Sequence, residues 1–265
     1  MALNALGTIN IELTSRCNKN CWMCGRRKLD SEYPELVLDY GDMDFALIEE
    51  LSRQIPPNIV VQFHRDGEAL MYPRFGEAVG LFPNNIRNIV TNGKLLLVKA
   101  DEIIDNLETI SVSIFENDEE AEEQKELIAE FLNIKGSRKP YVTLRLIGDV
   151  NRDPYEKFKQ QFVCRVLHNP MGSFGYIKRT PCVPEIGICW DFLHHPCISR
   201  QGDLHICVRF DPSSLGRVGN LFEQSLEELW NCETRRRWRD FHVAGRRIEV
   251  PLCSRCEYWG VPIAP

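Results

Sequence analysis

Strand-like and helix-like stretches alternate about six times across residues 8–168, and this alternation restricts the fold more than any other property of the chain. Residues 8–13 carry Ile9, Ile11 and Leu13 at strand period. Residues 58–63 (NIVVQF), 86–91, 109–115 (TISVSIF), 141–147 (YVTLRLI) and 162–168 repeat the signal. Between them, residues 43–55 place Leu47, Ile48, Leu51 and Ile55 at helical spacing, and Pro56–Pro57 ends the run. Residues 117–134 form the clearest helix, with an acidic face expected to be solvated. Strands separated by helices are parallel and joined by right-handed crossovers, so an open or closed α/β barrel is expected. In such a barrel the chemistry gathers at the carboxyl ends of the strands.

Three segments fall on that rim: residues 17–24 after the first strand, 64–70 after the second and 91–93 after the third. The first reads CNKNCWMC, with Cys17, Cys21 and Cys24 in one short loop. A structural zinc site closes with four protein ligands. Three thiolates leave one side of a metal open, and iron–sulfur clusters are held by thiolates in such loops. A zinc knuckle completed by a distant fourth ligand is the alternative.

The eleven cysteines are unevenly spread: three lie in residues 17–24, and the other eight between Cys164 and Cys256. This suggests two metal-binding regions around a cysteine-free scaffold. No signal sequence and no apolar run of roughly 18 residues is visible, so a cytoplasmic protein without a membrane segment is expected, its cysteines kept as thiols or metal ligands. A net charge of −6 and a pI near 5.6 give no footprint for nucleic acid. The basic run at residues 235–239 reads as a solvated helix face.

Beyond residue 168 the texture changes. Residues 169–196 are rich in Pro, Gly, His and Cys without a period, as in a linker crossing the barrel mouth. Residues 195–208 read as a hairpin turning at 201–203, residues 225–239 as one helix, and residues 253–256 as a CxxC.

With Cys17, Cys21 and Cys24 after strand one and Gly67–Glu68 after strand two, the chain resembles the radical SAM superfamily. The resemblance implies a partial (β/α)6 barrel over residues 1–168 and a [4Fe–4S] cluster whose open iron chelates S-adenosylmethionine. Reductive cleavage would give a 5′-deoxyadenosyl radical that takes hydrogen from a substrate carbon. Glu68 would hold the methionyl ammonium, and Met23 occupies the adenine-contacting position, which is usually aromatic in the family. Thr91, Asn92, Ser111 and Ser113 are further cofactor-contact candidates. The motif here is Asp66–Gly67–Glu68–Ala69, so the first Gly and the Pro of the family's GGEP-type pattern are absent.

The C-terminal pattern is similar to the twitch or SPASM extensions of that superfamily: a cysteine, a glycine-turned hairpin with a second cysteine, a GN-then-SLEELW helix and a closing CxxC. It implies a β-hairpin plus helix domain over residues 189–265 with one auxiliary [4Fe–4S] cluster on Cys189, Cys207, Cys253 and Cys256, after a linker at 169–188. Cys197 competes with Cys189, since it too precedes Gly202 and Cys207. A bare zinc on this set is the alternative. Of the remaining cysteines, Cys164, Cys182, Cys197 and Cys232 default to buried apolar positions. Cys182 is also a candidate hydrogen-atom donor. His64, His168, Asn169 and Arg145 lie on or past strands as candidates for substrate binding or base catalysis, and His194 and His195 adjoin the cluster region.

A cluster with four protein ligands can accept an electron, which suits oxidation of a hydroxylated small molecule of the sugar or aminocyclitol kind. Modification of a ribosomal peptide, radical epimerisation and a non-enzymatic zinc module are the other readings. The resemblance also implies an electron donor such as flavodoxin or ferredoxin.

Overall fold

A computed structural model describes residues 3, 6–36, 39–165, 189–254 and 256. One nine-stranded sheet runs through it in the order β6-β5-β4-β3-β2-β1-β7-β8-β9. Its first six strands are β1 (Thr8–Ile11), β2 (Val60–Phe63), β3 (Ile86–Thr91), β4 (Thr109–Phe115), β5 (Tyr141–Ile147) and β6 (Gln161–Arg165). All neighbouring pairs among them are parallel. The alternation in sequence therefore does what right-handed crossovers require.

Each strand divides its side chains by parity. Ile9 and Ile11, Val61 and Phe63, Ile110, Val112 and Ile114, and Val142, Leu144 and Leu146 join one core with the surrounding helices. Full burial of one such side chain contributes about 1.5–3 kcal/mol. The helix Phe45–Gln54 turns Leu47, Ile48 and Leu51 into that core, and Asp44 caps it by accepting from the Ala46 N–H. The opposite parity is polar: Asn10 pairs with Gln62, Gln62 with Asn88, Ser111 with Thr143 and Ser113 with Arg145.

The C-terminal part extends the same sheet. β7 (Cys197–Ile198) lies parallel to β1 and turns through Gly202 into the antiparallel β8 (Asp203–His205). Gly202 takes φ +83°, a conformation that glycine adopts without a Cβ penalty. β9 (Arg217–Asn220) follows, a strand too short and polar to be evident from pattern alone. A five-residue helix, Trp190–His194, occupies the end of the stretch expected to be irregular.

Four expectations change. The single helix expected over 225–239 is two, Leu226–Trp230 and Glu233–Val243, broken at Asn231–Cys232, where the Cys232 sulfur accepts from the Arg235 N–H. In the basic run, Arg235 is buried, its guanidinium 3.4 Å above the Trp230 ring, while Arg236, Arg237 and Arg239 are exposed. Cys164 is exposed and Cys232 half-buried, because β6 is an edge strand and Cys232 is a cap. The acidic face before Ala121–Lys135 is not simply solvated, since Asp118 and Glu120 hold Lys19. Residues 166–188, which include His168, Asn169 and Cys182, lie outside the described residues. Among the described residues no helix is long and apolar enough to cross a membrane.

Candidate functional site

The cysteine loop is held at the rim by its neighbours. Cys24 precedes the helix Gly25–Glu32, and its N–H bonds the Cys21 carbonyl. Arg27 donates to the carbonyls of Cys17 and Lys19 at 3.4 and 3.0 Å. Lys19, almost fully enclosed, reaches across to Asp118 at 2.9 Å and Glu120 at 2.7 Å beyond β4. Burial pulls its ammonium pKa down, but the two carboxylates outweigh it and raise the net value. The Trp22 indole N–H donates to the Glu116 carbonyl at 3.0 Å, so the aromatic ring beside Met23 is committed to the β4 end of the rim. Met23 itself is buried.

The segment after β2 is pressed against this loop. A Cβ on Gly67 would stand 2.1 Å from the Thr14 carbonyl oxygen and 2.8 Å from that of Arg16, so no other residue fits without moving the chain that enters the loop. The Glu68 N–H donates to Arg16 O at 2.8 Å. The Glu68 carboxylate is buried and accepts from Thr91 Oγ1 at 2.8 Å, the Asn92 N–H at 2.7 Å and the Leu70 N–H at 3.2 Å. Burial raises its pKa, and these three donors oppose the rise. A carboxylate has about four acceptor positions, so one remains for an ammonium. Asn92 Nδ2 lies 3.8 Å from Cys17 Sγ and 2.9 Å from Asn18 Oδ1. Thus Glu68, Thr91 and Asn92 are joined to one another and to the cysteine loop. Ser111 and Ser113 lie on β4 with the parity opposite to Ile110, Val112 and Ile114.

The three thiols are neighbours. Burial raises Cys21 to about 12, and Cys24 and Cys17 add to the rise. Burial also raises Cys24, against the Arg27 and Arg26 N–H groups at the helix start. The second set is also gathered in one place. Burial lifts Cys207 and Cys253, and Cys189 adds to both, with Cys256 acting on Cys253. Cys189, Cys207 and Cys253 share a small core with Phe192, Ile206, Trp238 and Leu252. Arg247 fixes the CxxC by donating to the Cys253 and Cys256 carbonyls at 2.6 and 3.2 Å. His242 Nδ1 accepts from the Cys189 N–H at 3.3 Å. Cys197 stands apart: its thiol, raised by burial, is surrounded by Arg65, Glu12 and Asp66 of the barrel. Both sets consist of soft sulfur donors, which as thiolates suit iron–sulfur clusters and zinc over hard cations. Among the described residues, no three Cys, His, Asp or Glu side chains are gathered tightly enough to hold a single metal ion.

The polar face of the sheet carries further candidates. His64 follows β2 on the same face as Gln62, and Arg145 faces inward from β5 beside Ser113. Burial lowers the His64 imidazole to about 3, and Arg145, His195 and Arg209 push it the same way, so the ring is neutral. His195 and Arg209 both engage Asp191, His195 Nδ1 at 2.6 Å from Oδ1 and Arg209 Nη2 at 2.6 Å from Oδ2. Burial would raise Asp191, but these two partners hold it well below the usual carboxylate range. Arg209 and Asp191 were not evident in the sequence, because the hairpin brings together residues 18 positions apart. A second buried network joins the halves: Arg65 contacts Glu12 at 3.7 Å, Asp66 at 3.3 Å and His205 at 3.4 Å, and His205 faces Asp211 at 3.3 Å.

Residues 189–257 match the SPASM iron–sulfur cluster-binding domain. A tungsten-containing aldehyde ferredoxin oxidoreductase cofactor-modifying protein of Pyrococcus furiosus is 30% identical over 109 residues, which is 39% of this chain and 28% of that protein's length. Among solved structures, BtrN in complex with AdoMet and 2-DOIA aligns over 95% of this chain and 92% of its own, with a TM-score of 0.57 and 20% identity. Streptococcus suis SuiB bound to S-adenosylmethionine covers 95% of this chain and 72% of its own at TM-score 0.60 and 13% identity. The anSMEcpe structure with bound AdoMet covers 89% and 80% at TM-score 0.63 and 14% identity. At these identities the likeness is one of fold.

Proposed function

We infer that this chain, with its radical SAM fold and SPASM iron–sulfur domain, is an enzyme that oxidises a hydroxylated small molecule at a C–H bond. The observation that carries the reading is the polar face of the parallel sheet, where Gln62, Asn88, Ser111, Thr143 and Arg145 lie opposite in parity to the apolar core, on the sheet whose first strand leads into the Cys17–Cys21–Cys24 loop. When bound, S-adenosylmethionine and two [4Fe–4S] clusters supply the hydrogen-atom acceptor and the electron sink. Cys17, Cys21 and Cys24 would hold the first cluster, and Cys189, Cys207, Cys253 and Cys256 the second. Glu68 keeps its remaining acceptor position for the methionyl ammonium, with Thr91 and Asn92 fixing its orientation.

The substrate's carbinol carbon loses one hydrogen atom, its hydroxyl one proton and the resulting ketyl one electron, leaving a carbonyl. The group suited to the proton is His195, whose Nδ1–H is oriented by Asp191 so that Nε2 is left to accept. His64, held neutral, serves better as a hydrogen-bonding partner than as a base. The likeness to a structure containing 2-DOIA supports a small-molecule substrate over a peptide.

Anaerobically purified protein should be brown and carry about eight irons per chain. Replacing Cys17, Cys21 and Cys24 together by Ala should remove about half the iron and all 5′-deoxyadenosine formation. A colourless zinc protein, or cleavage that survives the triple change, would reject the reading.

A further inference from the structure

The helix Glu233–Val243 buries Arg235, Trp238 and His242 along one face. His242 is fully enclosed and meets the second cysteine set directly. Its Nδ1 accepts from the Cys189 N–H at 3.3 Å, and its ring centre lies 4.9 Å from that of Phe192. A ring nitrogen that accepts carries no proton, so the proton of this imidazole sits on Nε2, which is therefore a donor. That donor is buried and has no hydrogen-bond partner among the described residues. A buried N–H left unpaired is costly, and a folded protein keeps one where an acceptor completes it. The hydrophobic core to which Cys189 and Phe192 belong offers no oxygen: its other members are aliphatic or aromatic, save Cys207 and Cys253, and its indole only donates. The two carboxylates that bear on this set are engaged elsewhere, Asp191 by His195 and Arg209, and Asp211 by His205 and the N–H groups of Leu215 and Gly216. Sulfur is the acceptor gathered there.

We propose that the His242 Nε2–H donates to a sulfur of the auxiliary cluster, a cysteine thiolate or a bridging sulfide, and raises the reduction potential of that cluster. Hydrogen bonds to the sulfurs are among the determinants of such potentials. A donor stabilises the reduced cluster more than the oxidised one, because reduction adds negative charge to the atoms that accept the bond. With His242 in place the auxiliary cluster is thus the better electron acceptor. The bond between Nδ1 and the Cys189 N–H fixes the tautomer and the ring orientation, as a second hydrogen bond does for a metal-bound imidazole. His242 acts by positioning one proton and does not act on the substrate. The proposal rests on the auxiliary-cluster part of the reading above and is independent of which substrate is oxidised.

The test uses the full-length protein with both clusters reconstituted under anaerobic conditions. The auxiliary cluster is identified as the one whose EPR signal is unchanged by S-adenosylmethionine. Wild-type protein made with histidine labelled in the heavy nitrogen isotope should show, in pulsed EPR, a histidine nitrogen coupled to the reduced auxiliary cluster, since spin density crosses an N–H···S bond. Two variants separate the functions of the ring. His242→Phe removes both nitrogens, whereas His242→Gln removes the Nδ1 acceptor but places an amide N–H where Nε2 stood. Both lose the acceptor for the Cys189 N–H, so the difference between them reads the Nε2 donor alone. His242→Phe should shift the auxiliary reduction equilibrium toward the oxidised form by about tenfold, a fall of about 59 mV for one electron, and His242→Gln by less than half of that. The first cluster should keep its potential in both. Equal auxiliary potentials in wild type and His242→Phe, no histidine coupling in the wild type, or coupling that survives in both variants would overturn the proposal. The wild-type measurement decides even where a variant loses its iron. About four irons per chain and a single signal sensitive to S-adenosylmethionine would reject the auxiliary cluster and the proposal with it; a second cluster without histidine coupling rejects the proposal alone.

Discussion

At the scale of single residues, the side chains that matter here are tied down by several partners at once. Glu108 is a case away from the site: it accepts from the Arg87 backbone N–H at 2.8 Å, from Arg87 Nε and Nη2 at 3.1 and 3.0 Å, and from Lys139 at 3.4 Å. Burial alone would raise its carboxyl, but Arg87 and then Lys139 bring it down to about 2 from an ordinary value of 4.5. A folded-state pKa below the unfolded one gives stability that is complete above about pH 4.5 and is lost as pH falls through about 2. Glu108→Gln should therefore lower stability by about 1–3 kcal/mol at pH 7. Denaturant midpoints of the two proteins should converge as the pH is taken down across that window. Gly67 and Arg235 show what a sequence reveals at this scale and what it conceals. Gly67 is visible because its motif demands it, and the clash with the Thr14 carbonyl gives the physical reason. Arg235 in an arginine-rich run reads as solvated, and only the fold brings Trp230 beneath its guanidinium.

At the scale of elements, strands were the legible part. β3, β4 and β5 begin and end where the alternating pattern does, because a strand buried on one face and polar on the other writes its period into the chain. The helices near the hairpin were less so. The run at 225–239 keeps an apolar rhythm through Leu226, Leu229 and Trp238, and nothing local marks the break at Cys232, whose sulfur takes the capping role that Ser or Asp usually holds. The candidate site divides the same way: Cys17, Cys21, Cys24, Gly67 and Glu68 follow strands and announce themselves, whereas Asp191 and Arg209 depend on a hairpin's closure. Between elements, Lys19 ties the cysteine loop to the segment before Ala121–Lys135, over a separation of about 100 residues. Lys19→Met leaves Asp118 enclosed without its cation, and should cost about 2–4 kcal/mol. Cluster retention during anaerobic gel filtration should fall with it, and Lys19→Arg should restore part of both.

At the scale of the whole molecule, the parallel-stranded part and the region that matches the SPASM domain are not two bodies on a tether. β7 pairs with β1, the Asn10 N–H donates to Pro196 O at 2.9 Å, the Glu12 N–H donates to Ile198 O at 2.9 Å, and Glu12 in turn accepts from the Arg200 N–H at 3.1 Å. The sheet thus runs without a break from the strand that leads into the first cysteine loop to the hairpin that leads to Cys207. A chain ended at residue 188 would leave the β1 edge unpaired, with a row of open N–H and C=O groups beside an apolar core. Such a fragment should be recovered mainly in the insoluble fraction, and light scattering on the soluble remainder should report oligomers. Soluble monomeric fragment would show that the barrel closes without β7.

That pairing also has a consequence in time. β1 is made well before its partner at Cys197–Ile198, which follows 187 residues later, from Asn10 to Cys197. At ribosomal speeds of about 5–20 residues per second, the first strand waits roughly 10–40 s for its neighbour. During that wait the nascent chain already carries three thiols and no closed wall beside them, so slowing of synthesis between the two strands lengthens the period in which the newborn protein is open to oxygen and to other chains.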